Sequence, residues 1–102
     1  MVLPMKSGVL LCHFNYKNME KSEIYENCHI LSNQLGLCLY DDADGVSLTN
    51  GEVDFQNKDD VSYTKNLLYE ARAKLTELGI VPSLIKRVGN VLYININYPK
   101  TA

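Results

Sequence analysis

From Asp59 to Leu78 apolar residues return every three or four positions, and that stripe must be buried against something. Val61, Thr64, Leu68, Ala71, Leu75 and Leu78 share one helical face, which Leu67 widens. Asp59 and Asp60 suit the positive end of such a helix, and Glu70 precedes Lys74 in the favourable four-residue order. Gly79 offers a left-handed cap and Pro82 bars continuation. Beyond Pro82 the period becomes two. Ser83–Val88 and Val91–Tyr98 flank Gly89-Asn90, a pair suited to a two-residue primed turn. Leu92, Ile94, Ile96 and Tyr98 then share the face expected to lie on the helix.

The stretches before this unit add further elements. Gly8–Tyr16 reads as a strand, central in its sheet because both its faces are partly apolar, after a loose lead-in over residues 1–7. Ser22 caps a helix whose buried stripe is Ile24, Cys28, Leu31 and Leu35, and which Gly36 closes. Leu37–Tyr40 is a short strand entering the acidic connection Asp41–Gly45. Val46–Thr49 and Glu52–Phe55 flank Asn50-Gly51, the strongest short-range hairpin signal. The expected order is therefore β-α-β-β-β-α-β-β. That is an α+β fold, with a mainly antiparallel sheet and two helices in a single domain spanning residues 1–102. From Ser22 onward the α-β-β-β-α-β-β order resembles that of small secretion chaperones, in architecture alone.

A chain of 102 residues, 46% apolar and 22% charged, has the balance of one globular domain. A formal net charge of −2 gives no reason to expect nucleic acid or an anionic membrane as partner. No apolar run approaches the roughly 20 residues that span a bilayer. Val9–Cys12 is too short for a signal-peptide core, and no small-residue cleavage site follows it. A cytoplasmic protein is expected.

Candidate chemistry is sparse. Cys12-His13 and Cys28-His29, with Cys38 beyond, invite a zinc reading. Adjacent residues diverge on both strands and helices, however, so the sulfurs fall on core faces and the histidines outside them. Buried reduced thiols and no metal are expected. Asp41-Asp42-Ala43-Asp44-Gly45 resembles part of a calcium loop, but Tyr40 and Gly51 would occupy its first and last ligand positions. No glycine-rich phosphate cradle and no aromatic-basic strand motif of RNA-binding sheets is present. No cofactor is expected, and an enzymatic role is the less favoured one.

One feature stands above this background. Residues 41–60 carry seven acids against Lys58 alone, a local charge of −6, while the remaining chain carries nine Lys and Arg against five acids. Concentrated charge steers encounter with an oppositely charged partner. The expectation is a non-catalytic protein-binding domain, an inhibitor or adaptor of the immunity or anti-defence kind. Its partner would have a basic surface and meet an acidic hairpin built from Tyr40, Asp41, Asp42, Asp44, Glu52, Asp54 and Phe55, the two aromatics being exposed anchors. A second expectation is a small-molecule or nucleotide pocket between sheet and helices, using His13, Asn15 or Tyr16. A homodimer through the closing strand Val91–Tyr98, taken as a sheet edge, is also expected.

Overall fold

Alternating Val46, Leu48, Ile94 and Ile96 make one face of a sheet, and the stripes of two helices close over it. In the computed structural model, which describes residues 19–100, helix α1 spans Lys21–Leu35, β1 Cys38–Asp41, β2 Gly45–Glu52, α2 Lys58–Glu77, β3 Lys86–Val88 and β4 Val91–Asn97. The four strands form one antiparallel sheet in the order β1-β2-β4-β3. The α+β class, the two helices and the antiparallel sheet are those expected. The strand read over Gly8–Tyr16 lies outside the described residues. Among the described strands, both central places belong to β2 and β4.

The layer between sheet and helices is filled. Leu48, Leu68, Ala71, Leu75, Ile94, Thr64 and Cys28 are all 0% exposed, and Ile24, Leu31, Val46, Leu92, Ile96 and Tyr98 join the same core. Side chains fill this layer among the described residues, whereas His13, Asn15 and Tyr16, expected to line a pocket there, lie outside them. Burial of each large aliphatic group contributes roughly 1.5–3 kcal/mol in transfer terms, offset mainly by conformational entropy. Leu78 leaves the expected stripe and is exposed.

The helix ends follow local chemistry, with two changes. Asn57, not Asp59 or Asp60, caps α2: its Oδ1 accepts from the Asp59 and Asp60 amides at 3.0 and 3.2 Å. α1 begins ahead of Ser22, and the Glu23 carboxylate accepts from the Glu20 amide at 3.1 Å. Gly79 caps α2 as expected, at φ 85°, with the Ile80 amide donating to Leu75 O.

Asn50-Gly51 does not turn the chain. β2 runs through it, and the register shifts between Thr49↔Tyr93 and Glu52↔Val91, which places one extra residue opposite Leu92. Gly51 supplies the positive φ, 87°, of this bulge. The reason is two-sided pairing. β2 is flanked by β1 and β4, so no place beside it remains for Glu52–Phe55 to fold back into. The chain turns instead at Asp42–Asp44 and at Gly89-Asn90, the latter as expected.

β4 is not an edge. β2 pairs along one side, while β3 and then Ser83 cover the other, the Ser83 amide donating to Asn95 O at 2.8 Å. The described edges are the short β1 and β3. A dimer pairing two copies of β4 has no free strand side to use.

Candidate functional site

Both helices lie on one face of the sheet, and no helix among the described residues covers its other face. Tyr40, Ser47, Thr49, Gly51, Glu52, Val88, Val91 and Tyr93 line a shallow groove of about 520 Å³ there. Tyr40 is 63% exposed, as expected. Glu52 is the one charged residue in that lining.

The expected acidic strip is divided. Asp41, Asp42 and Asp44 sit at the start of β2, and Glu52, Asp54, Asp59 and Asp60 at its far end. The length of β2 separates the two groups by about 23 Å. At the far end two of the carboxylates serve the backbone: Asp60 Oδ2 accepts from the Asp54 amide at 2.8 Å, and Asp54 Oδ1 from the Gln56 amide at 3.0 Å. Phe55, expected to be exposed, is half-buried against the core, with the Arg87 guanidinium 3.7 Å from its ring centroid. Glu52, Asp54 and Asp59 remain exposed there.

The near end is joined by residues from elsewhere. Asp42 Oδ1 accepts from the Asp44 and Gly45 amides at 2.8 and 3.0 Å, which fixes the β1–β2 turn. Asp44 O accepts from the Tyr98 amide at 2.8 Å, and the Tyr98 hydroxyl donates to Asp41 Oδ1 at 2.5 Å. Tyr98 thus pins the end of β4 to both sides of the turn. Burial, then the Asp41 hydrogen bond and charge, push its phenol well above the usual tyrosine range, so it stays a neutral donor. α1 brings Glu20, Lys21, Tyr25 and Glu26 against the same tyrosine, and with Ser22, Asp41 and Tyr98 they line a depression of about 510 Å³. Beside it Ala43, Asp44, Asn97, Tyr98, Pro99 and Lys100 line a second of about 670 Å³.

This corner gathers five exposed carboxylates, Glu20, Glu26, Asp41, Asp42 and Asp44, and two lysines, Lys21 and Lys100, around two tyrosines. Glu20, Glu26, Tyr25 and Tyr98 were missed as site residues, because only the β1–β2 stretch carries a local run of acids. The inward alternation of Tyr98 was the one available signal. Chemically the corner offers acceptors and aromatic faces, the complement of a cation.

The thiols divide. Cys28 is 0% exposed, and burial pushes it up to about 11. Cys38 is exposed on β1, against the expectation of a buried thiol. Its place in the short edge strand explains this, because neither helix covers that side. His29 lies outside the core and stacks on Tyr25, ring centroids 5.9 Å apart. Among the described residues, no three His, Cys, Asp or Glu side chains are grouped so as to hold a metal ion. No helix among them is long and apolar enough to cross a membrane. His13, Asn15, Tyr16 and Cys12 lie outside the described residues.

No protein-family model, no characterised protein and no solved structure matches the chain. With two strands rather than three between its helices, the chain also loses the element order on which the resemblance to secretion chaperones rested.

Proposed function

We propose that this domain is a non-catalytic protein-binding module, of the inhibitor or adaptor kind, that docks a basic partner on the acidic corner around Tyr98. The observation that carries the reading is convergence. Three separate parts of the chain, the start of α1, the β1–β2 turn and the end of β4, bring five carboxylates and two tyrosines to one place. Tyr98 ties the turn in place through Asp41 and Asp44, so these charges are held on a fixed surface. Preorganised charge of one sign speeds encounter with the opposite sign and rejects partners of like sign. Tyr40, 63% exposed, lines the groove on the opposite face of the strand that ends in Asp41 and stands apart from this corner.

The test is differential capture. Proteins retained from the source cell by the wild-type domain are compared with those retained by a Glu26→Lys/Asp44→Lys variant of unchanged fold. Both side chains are exposed, and neither takes part in the turn bonds of Asp42 or the Tyr98–Asp41 bond. A partner with a basic surface, lost from the variant and kept by a Glu52→Lys/Asp59→Lys control, is the expected result. Equal retention by all three forms overturns the reading.

A further inference from the structure

Tyr98 already has a cation on its ring. Lys21 Nζ stands 4.9 Å from the ring centroid, within the roughly 6 Å of an effective cation–ring contact. The lysine is exposed, on a flexible stem at the first position of α1. It is not what places the tyrosine, whose position is set by the amide bond to Asp44 and the hydroxyl bond to Asp41. The depression it occupies has Tyr25 and Tyr98 as aromatic walls and Glu20, Glu26 and Asp41 as carboxylates, with Lys21 as the sole cation in its lining. One ammonium among three carboxylates leaves negative charge uncompensated.

We propose that this depression receives an arginine side chain of the basic partner, its guanidinium replacing Lys21 over the Tyr98 ring and its N–H fork directed at Asp41 and Glu26. The inference rests on the reading of the corner as the site for a basic partner, and names the group recognised there. Arginine fits better than lysine for three reasons. Its guanidinium is planar and stacks on aromatic faces, it is more weakly hydrated than an ammonium, and its forked donors match carboxylates. Asp41 gives Oδ1 to Tyr98, which leaves Oδ2 for the incoming donor. In the free protein Lys21 serves as a built-in stand-in that covers the ring until the partner's cation displaces it.

The probe is N-acetyl-arginine amide, titrated into the whole protein and followed through the ring resonances of Tyr98 and Tyr25 by NMR. Lys21→Ala, a surface change, should tighten binding by roughly two- to fivefold, the order that one competing exposed cation–ring contact supplies. Glu26→Gln in the Lys21→Ala background should weaken it while leaving the Tyr98–Asp41 bond intact, and N-acetyl-lysine amide should bind more weakly than the arginine probe. Unmoved tyrosine resonances in the Lys21→Ala protein would overturn the proposal, as would equal affinity for the two probes. Failure here, with a basic partner still lost from the Glu26→Lys/Asp44→Lys variant, removes the arginine pocket and leaves the wider acidic corner. Probe binding with no such partner does the reverse.

Discussion

The Tyr98 hydroxyl donates to Asp41 Oδ1 at 2.5 Å across a separation of 57 residues, joining the end of β4 to the end of β1. Among the described residues it is the one hydrogen bond that links those two ends by side chains alone. A buried phenol bonded to a carboxylate is a charge-assisted contact, stronger than a neutral one. Tyr98→Phe and Asp41→Ala are each expected to lower stability by about 1–2 kcal/mol. In urea titrations the double variant should lose less than the sum, because both changes remove the same bond. Strict additivity would show that the bond contributes nothing.

Alkaline pH should weaken the fold in a defined order. The folded state holds the Cys28 and Tyr98 protons more tightly than the unfolded chain does, both groups being pushed up mainly by burial. Their contribution is therefore complete below the ordinary thiol and phenol values. It falls as pH rises above about 9, first through the Cys28 value of about 11 and then through that of Tyr98. Thermal unfolding midpoints measured across this range should decline, and Tyr98→Phe should flatten the upper part of the decline. A profile identical in the variant would place the alkaline loss elsewhere.

Leu75 is 0% exposed between α2 and the sheet, and its replacement by alanine should cost about 2–5 kcal/mol. A denaturant midpoint shift equivalent to less than about 0.5 kcal/mol, the level of an exposed site, would contradict the assigned helix face.

Much of this packing was legible in the sequence. Thr64, Leu68, Ala71 and Leu75 lie on one stripe, and Leu92, Ile94, Ile96 and Tyr98 alternate. Periodicity reports burial directly when one face of an element is wet. Gly89-Asn90 was legible for the same local reason. Asn50-Gly51 was misread because a turn propensity of a few residues competes with pairing on both sides of β2, and pairing wins. The fold keeps only part of the acidic stretch together. Sequence proximity collected Asp41, Asp42 and Asp44, but it also collected Glu52 and Asp54, which the length of β2 carries away. It could not collect Glu20, Glu26 and Tyr98, which only the tertiary fold brings to the turn.

Gly45 opens β2 directly against β4. A Cβ added there would run into the Ile96 carbonyl oxygen and crowd Asn97 Cα, both backbone atoms that cannot rotate away. Gly45→Ala should thus cost about 1–3 kcal/mol. The same change at Gly36, where nothing lies within 4 Å, is limited to the strain of its left-handed φ of 70°. Comparison of the two midpoints separates close approach from backbone strain. A neutral Gly45→Ala would mean that the β2–β4 pairing begins later than Val46.

Thiol reactivity should sort by exposure. Alkylation of the native protein, read by peptide mass spectrometry, should modify Cys38 readily and Cys28 only on unfolding, because the thiolate is the reactive form and burial suppresses it. Rapid native modification of Cys28 would contradict the packing of α1 on the sheet.

The central claim, that the corner around Tyr98 is a surface for a cationic partner, is tested most directly by association kinetics with an arginine-rich peptide at several salt concentrations. Wild type, Glu26→Lys/Asp44→Lys and Glu52→Lys/Asp59→Lys are compared. Each double reversal changes net charge equally, so general attraction affects both variants alike. The predicted result is a corner variant whose on-rate falls by about an order of magnitude and loses most of its salt dependence, with the far-end variant close to wild type. Equal slowing in both variants, or in neither, would contradict the assignment.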